Sequence, residues 1–367
     1  MAGMKELGAL GQSVWLDYIR RNMVRSGDLE AMIERGLRGL TSNPSIFEKA
    51  ISGGTEYDDD LRAAIAANPE ISSAELFESL AITDIREAAD LLRTVYDASG
   101  GQDGFVSLEV SPHLAAERDA TVDEARRLWS VVGRPNLMIK VPATREGVAA
   151  IEELIADGIN VNATLMFSLE HYDAVAGAYL RGLASANEPA GIASVASFFV
   201  SRVDSMIDPM LDRIGTPEAN ALRGRLAVAN AKLAYQRFRA TFHGPQFDAL
   251  RSRGGAAQRV LFGSTSTKDP AFSDVKYVEE LIGPETINTL PPETIEAFED
   301  HGHASVTLTA DVDGARAAMH GIERLGIDMT DVTEELQRDG VRKFADSFDA
   351  LLAALDRKRE EILQPTG

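Results

Sequence analysis

The chain has 367 residues, 44% of them hydrophobic, enough to bury the core of one large α/β barrel or of two average domains. It has no cysteine, which excludes a disulfide scaffold, a thiolate metal site and cysteine catalysis. The formal net charge of -20 disfavours nucleic acid and anionic membranes as partners, and it would repel a phosphorylated metabolite unless cations were focused in a cleft. The opening stretch MAGMKELGAL has no apolar signal core and no run is long enough to span a bilayer, so a cytoplasmic location is expected.

In chain order, short apolar runs at 13–18, 37–42, 105–110, 137–142, 159–165, 191–198, 259–264 and 286–291 read as strands. The spacers carry helical periodicity. Residues 74–99 place apolar side chains three and four apart, 121–132 opens with Thr121 and Glu124 in capping-box spacing, and 223–242 reads as a further long helix. Eight strands alternating with helices predict a parallel sheet covered by helices, and this count and length favour a (β/α)8 barrel. A doubly wound open sheet is the alternative, but no Gly-rich phosphate loop supports it. No repeat or low-complexity linker divides the chain, so 1–367 is expected to be a single barrel domain. The segment from about 305 to 367 is expected to add C-terminal helices packed outside the barrel.

In a barrel, alternate strand residues point inward, and sites form at the C-terminal strand ends. Asp17, Glu109, Lys140, Asn162, Thr164 and Ser197 fall late in their strands, and Asn43 follows the second strand in TSNPS. Lys140 shares a face with Met138, leaving Leu137, Ile139 and Val141 to face the helices. Each residue alone has a plainer reading: a backbone-satisfying hydroxyl, a helix cap at Asn43, or an ion pair of Lys140 with Glu109 or Asp17. Together they predict a polar ring at one end of the barrel.

Lys140 stands out because it is flanked by β-type apolar residues within LMIKVP. A lone buried ammonium is costly, and burial can bring a lysine amine from about 10.4 to roughly 7–8. A neutral amine attacks a ketone to form a Schiff base, whose iminium lets the neighbouring carbon–carbon bond break or form. Such chemistry needs an acid/base group and a water, and Asp17, Glu109 and Thr164 are available. The pair of histidines in HGH, 301–303, lacks further ligand spacing and is weak evidence for a metal.

LTSNPSIFEKAI (40–51), LMIKVPATREGVAAIEELIADGINVNATLMFS (137–168) and SVASFFVSRVD (194–204) resemble the signatures of the transaldolase family, over essentially the whole chain. GSTSTKDP (263–270) and the length resemble its longer bacterial subgroup. The resemblance implies Lys140 as the Schiff-base lysine, Asp17 as the acid/base at the cleaved bond, and Glu109 with Thr164 holding a water. It further implies that Asn43, Asn162 and Ser197 bind hydroxyls of a dihydroxyacetone unit and that Arg202 grips a phosphate. It implies sugar-phosphate substrates, no metal or organic cofactor, and a monomer or homodimer.

Two departures stand out. Phe198 and Ser201 replace a proline and a glycine of the family's S-P-F-V-G-R, and Thr267 falls where the family has a second arginine. Lys268 is therefore expected to supply the second phosphate cation, with Thr265 donating a hydroxyl. A class I aldolase acting on fructose 6-phosphate and a non-catalytic sugar-phosphate-binding barrel are the alternatives.

Overall fold

The computed structural model describes residues 3–52 and 54–363. Eight parallel strands close into one barrel in chain order. They are β1 Gln12–Asp17, β2 Leu37–Thr41, β3 Phe105–Glu109, β4 Leu137–Pro142, β5 Val161–Met166, β6 Ser194–Phe199, β7 Arg259–Gly263 and β8 Thr286–Leu290. Each consecutive pair is joined through at least one helix, so the fold is a (β/α)8 barrel with extra helices, as the strand count predicts. The largest shift of a strand start is at β6, which begins at Ser194 rather than 191.

Side-chain parity sorts two cores. Trp15, Phe105, Met138, Val195, Leu261 and Ile287 form an inner cluster supplied by six strands. Leu137, Ile139 and Val141 join the outer cluster beneath the helices. Trp15 fits inside because its register partner is Gly39, where a Cβ would lie 2.5 Å from the indole. Asp103 closes the N-terminal end of the barrel, accepting hydrogen bonds from Trp15 Nε1 at 3.1 Å and Arg259 Nη2 at 3.0 Å. The inner cluster and the Asp103 contacts thus fill this end of the barrel.

The helix predicted from 121 begins earlier, at Arg118, and Thr121 Oγ1 donates to Leu114 O instead of capping. Glu124 Oε2 accepts the Ser111 amide across the β3 loop. The reciprocal capping box lies elsewhere, at Ser72 and Glu75, opening the helix Ser73–Ala98. Capping-box spacing inside a helical turn is satisfied as easily by tertiary partners as by the helix end.

The C-terminal segment forms the helices Val312–Arg324 and Met329–Leu363, and its last four residues lie outside the described ones. The long helix packs outside the strands but across the barrel mouth. Gln337 Nε2 donates to the carbonyls of Ala143 at 2.9 Å and Leu165 at 3.1 Å, tying it to the ends of β4 and β5. Ser45 and Ser347 tie it to the helix Pro44–Ser52. Among the described residues, no helix is long and apolar enough to cross a membrane.

Candidate active site

A cavity of about 860 Å³ opens at the C-terminal strand ends. Asp17, Asn43, Lys140, Thr164, Ser197 and Arg202 line it, as strand parity predicts for the residues on the strands. Five cations line this cavity (Lys49, Lys140, Arg202, Lys268 and Lys343) against three carboxylates (Asp17, Glu293 and Asp339). The mouth is thus locally positive in a chain of net charge -20, which suits an anionic substrate.

Lys140 is 4% exposed. Its Nζ donates to Ser42 O at 3.0 Å and lies 3.2 Å from Glu109 Oε2, and the Phe344 ring lies 5.6 Å away. The contact with Glu109 is an ion pair without hydrogen-bond alignment: both Glu109 carboxylate oxygens are buried with no hydrogen-bond partner. Burial pushes the Glu109 carboxyl above its ordinary range, and the charge of Lys140 pulls it back. The plainer ion-pair reading of the sequence therefore holds in geometry, yet Lys140 lines the cavity while Glu109 stands behind it with acceptor capacity unused.

Asp17 is also pushed upward by burial, with Lys140 and the Thr41 hydroxyl opposing. Thr41 Oγ1 is its register neighbour on β2 and donates at 2.9 Å. Thr164 Oγ1 is buried without a partner at the end of β5, where Leu165 takes φ 61 beside a register shift. A positive φ at leucine costs about 1–2 kcal/mol. It turns the Leu165 carbonyl toward Gln337.

Two of the cavity cations differ in exposure, one half-buried and one exposed. Arg202, at the start of the helix Ser201–Ile214, carries a buried Nη1 with no partner, and its guanidinium stands 5.1 Å from the Phe199 ring. Burial lowers its pKa, opposed by Asp339 and Asp17. Lys268 lines the rim and is exposed.

Four expected site residues are placed differently. Glu109 stands behind the Lys140 amine and does not line this cavity. Asn162 does not line the cavity. It is fully buried, its Nδ2 donating to Ser107 Oγ at 3.0 Å and its Oδ1 accepting from Ser197 Oγ at 2.6 Å, so it braces Ser197 from below. Thr265 turns away and donates to Asn288 Oδ1 at 2.8 Å, while Ser264 and Ser266 face the cavity. Asn43 does reach the cavity, but its Oδ1 accepts the Ile46 amide at 3.1 Å and caps the following helix. His301 pairs with Asp274 and Asp300, and among the described residues no cluster of three or more ligating side chains could hold a metal ion.

Sequence reasoning missed Thr41, Lys49, Asp339, Lys343 and Phe344 as cavity residues. Thr41 was within reach, being two residues from Gly39 on an inward face. The three on the C-terminal helix carry no such signal, because helical side chains far along the chain reveal nothing of the mouth they cover.

The family model described as transaldolase/fructose-6-phosphate aldolase matches residues 14–355. The chain belongs to the transaldolase/fructose-6-phosphate aldolase family. A protein of Frankia alni named transaldolase is 48% identical over 358 residues, 96% of each chain. One of Thiobacillus denitrificans with the same name is 49% identical over 356 residues, covering 96% of this chain and 99% of that protein. Transaldolase 1 of Streptomyces coelicolor is 49% identical over 360 residues, covering 96% of this chain and 94% of that protein. Membership in this family makes the chain an enzyme that transfers aldehyde or ketone residues.

Proposed function

We propose that the chain is a transaldolase of the pentose phosphate pathway, acting in the cytoplasm. It moves a dihydroxyacetone unit from sedoheptulose 7-phosphate to glyceraldehyde 3-phosphate, giving erythrose 4-phosphate and fructose 6-phosphate. The observation that carries this reading is the Lys140 amine, buried at the wall of the cationic cavity and electrostatically joined to both Asp17 and Glu109.

In this reading the neutral Lys140 amine adds to the ketone and water leaves, giving an iminium. Asp17 takes the proton of the hydroxyl at the bond that breaks, the aldehyde departs, and the three-carbon enamine stays on Lys140. The enamine adds to the acceptor aldehyde, Asp17 returns the proton, and water releases the product. Glu109 and Thr164, each with unused buried oxygen atoms, hold the water. Asn43 and Ser197 contact hydroxyls of the three-carbon unit, with Asn162 fixing Ser197. Arg202 and Lys268 take the phosphate, with Ser264 and Ser266 in the place expected of Thr265.

Borohydride added with fructose 6-phosphate is expected to leave a three-carbon adduct on Lys140, located by peptide mapping. An adduct on another residue, or none, removes the mechanism. The family also contains fructose-6-phosphate aldolases, and release of free dihydroxyacetone without an acceptor, at the full turnover rate, would favour that activity.

A further inference from the structure

Two cavities meet at Lys140. The lysine lines the large front cavity, but its two amine contacts do not. Ser42 and Glu109 line a second cavity of about 290 Å³, which Lys140 does not line. The amine therefore stands in the partition, with substrate space before it and its own partners facing the other way.

The second cavity lies between the end of β3 and the helices Pro44–Ser52, Ser73–Ala98 and Arg118–Val132. Phe47, Phe77 and Leu108 make much of its apolar wall. Its polar groups are spaced from inside to outside. Glu109 is at the inner end, with both carboxylate oxygens buried, Oε2 in an ion pair with Lys140 at 3.2 Å and neither oxygen held by an aligned hydrogen bond. Glu124 also lines it, with Oε2 accepting the Ser111 amide at 3.2 Å. The Glu78–Arg127 pair reaches solvent, at 34% and 46% exposure.

A buried carboxylate with only one cationic neighbour, and that one out of hydrogen-bond alignment, has acceptor capacity left over, and ordered water is what ordinarily satisfies such atoms. A water occupies about 30 Å³ of liquid, so this cavity has room for several. Burial also raises both Glu109 and Glu124, so each can hold a proton closer to neutrality than an exposed carboxyl does.

We infer that the second cavity is a hydrated rear chamber, and that Glu109 exchanges the water and proton of Schiff-base formation and hydrolysis through it. The inference rests on the Schiff-base reading above. In the forward direction the carbinolamine C–O bond breaks, and its hydroxyl leaves with a proton from the Glu109 carboxyl. One water, the iminium and the Glu109 carboxylate result, so atoms and charge balance. Hydrolysis reverses each step. A six- or seven-carbon sugar phosphate occupies the front cavity during both, whereas the rear chamber keeps the partition wet whatever substrate is bound. Glu124 then links Glu109 to the solvent-facing pair.

The test is the rate at which oxygen-18 from water enters the C2 carbonyl of fructose 6-phosphate, followed by mass spectrometry on the full-length enzyme. Two variants leave the front cavity untouched. Ala81→Leu fills the rear chamber from the helix Ser73–Ala98, and Glu124→Gln keeps an acceptor for Ser111 but cannot carry a proton. The expected result is exchange slowed about tenfold in Ala81→Leu and about threefold in Glu124→Gln, equivalent to about 1.4 and 0.7 kcal/mol, with KM for fructose 6-phosphate unchanged. Wild-type exchange in both variants, when circular dichroism shows them folded, overturns the rear route. So does a KM that rises in step with the lost exchange, since that marks distortion of the front cavity. Failure of the Schiff-base reading looks different: the wild type then shows no exchange above that of Lys140→Ala.

Discussion

Asp17 and Thr41 are register partners on β1 and β2, and the threonine hydroxyl donates to the aspartate at 2.9 Å inside the cavity wall. Burial raises the Asp17 carboxyl, and this hydrogen bond holds it down. Thr41→Val removes a donor that favours the charged form, so the Asp17 pKa rises further. If Asp17 is the base for carbon–carbon cleavage, the acid limb of kcat moves to higher pH in Thr41→Val. Asp17→Ala lowers kcat about 10²–10⁴-fold with the fold intact. Stopped-assay pH profiles and circular dichroism check both, and an unmoved acid limb assigns that limb to another group.

Arg202 and Lys268 differ in burial, and the difference sets their expected weights. A half-buried guanidinium whose buried Nη1 donor is unused gains most from a phosphate, so Arg202→Ala should raise KM about 100-fold, or ~3 kcal/mol. Exposed Lys268 is screened, and Lys268→Ala should raise KM for phosphorylated sugars about fivefold, or ~1 kcal/mol. Neither change should affect an unphosphorylated ketose comparably. Equal effects on both substrate types return Lys268 to the role of a solvated loop lysine.

Gly340 is in the interior of the long C-terminal helix, where alanine ordinarily stabilises by about 1 kcal/mol. Here a Cβ would sit 2.8 Å from Leu165 Cδ2 and 3.6 Å from Arg202 Nη1. Overpacking costs about 1–3 kcal/mol, so Gly340→Ala should lower stability and raise KM for sugar phosphates together. Thermal melts and steady-state kinetics read the two effects. A stabilised variant with normal KM shows that Leu165 yields freely.

Asp204 supplies a pH dependence unrelated to catalysis. It is buried in the helix Ser201–Ile214, accepts the Ala227 amide and the Tyr277 hydroxyl, and is pushed up to about 6 by burial. A carboxyl raised in the folded state binds more protons folded than unfolded. Its contribution is therefore complete below the unfolded value of about 3.9 and is lost as pH rises through about 6. Urea titrations should show ~3 kcal/mol of stability falling away across that window in the wild type relative to Asp204→Asn. Parallel curves for the two proteins would mean that Asp204 titrates normally.

Period-two alternation made the strands and much of the site legible. A residue two from Met138 must share its face, so the strand period alone directs Lys140 inward, and Thr164 and Ser197 with it. The same rule failed where the backbone leaves the strand. Ser264 takes φ 54 just past β7, which reverses the alternation, so Ser264 and Ser266 meet the cavity while Thr265 turns to Asn288. Parity also gives direction but not depth, which is why Asn162 read as a wall residue when it lies beneath the wall. The residues of the Met329–Leu363 helix were invisible because nothing local states which end of a barrel a distant helix will cover.

The tie from Gln337 to Ala143 spans 194 residues, and that from Ser45 to Ser347 spans 302. These ties hold the helix to the strand ends and to the helix Pro44–Ser52, and none of them belongs to the strand ladder that closes the barrel. The wall formed by Leu336, Asp339, Lys343 and Phe344 is therefore an addition to a barrel that is closed without it. Local opening of this helix would then expose Lys140 without unfolding the strands, so amide exchange around residues 336–344 should respond to substrate more strongly than exchange in β4.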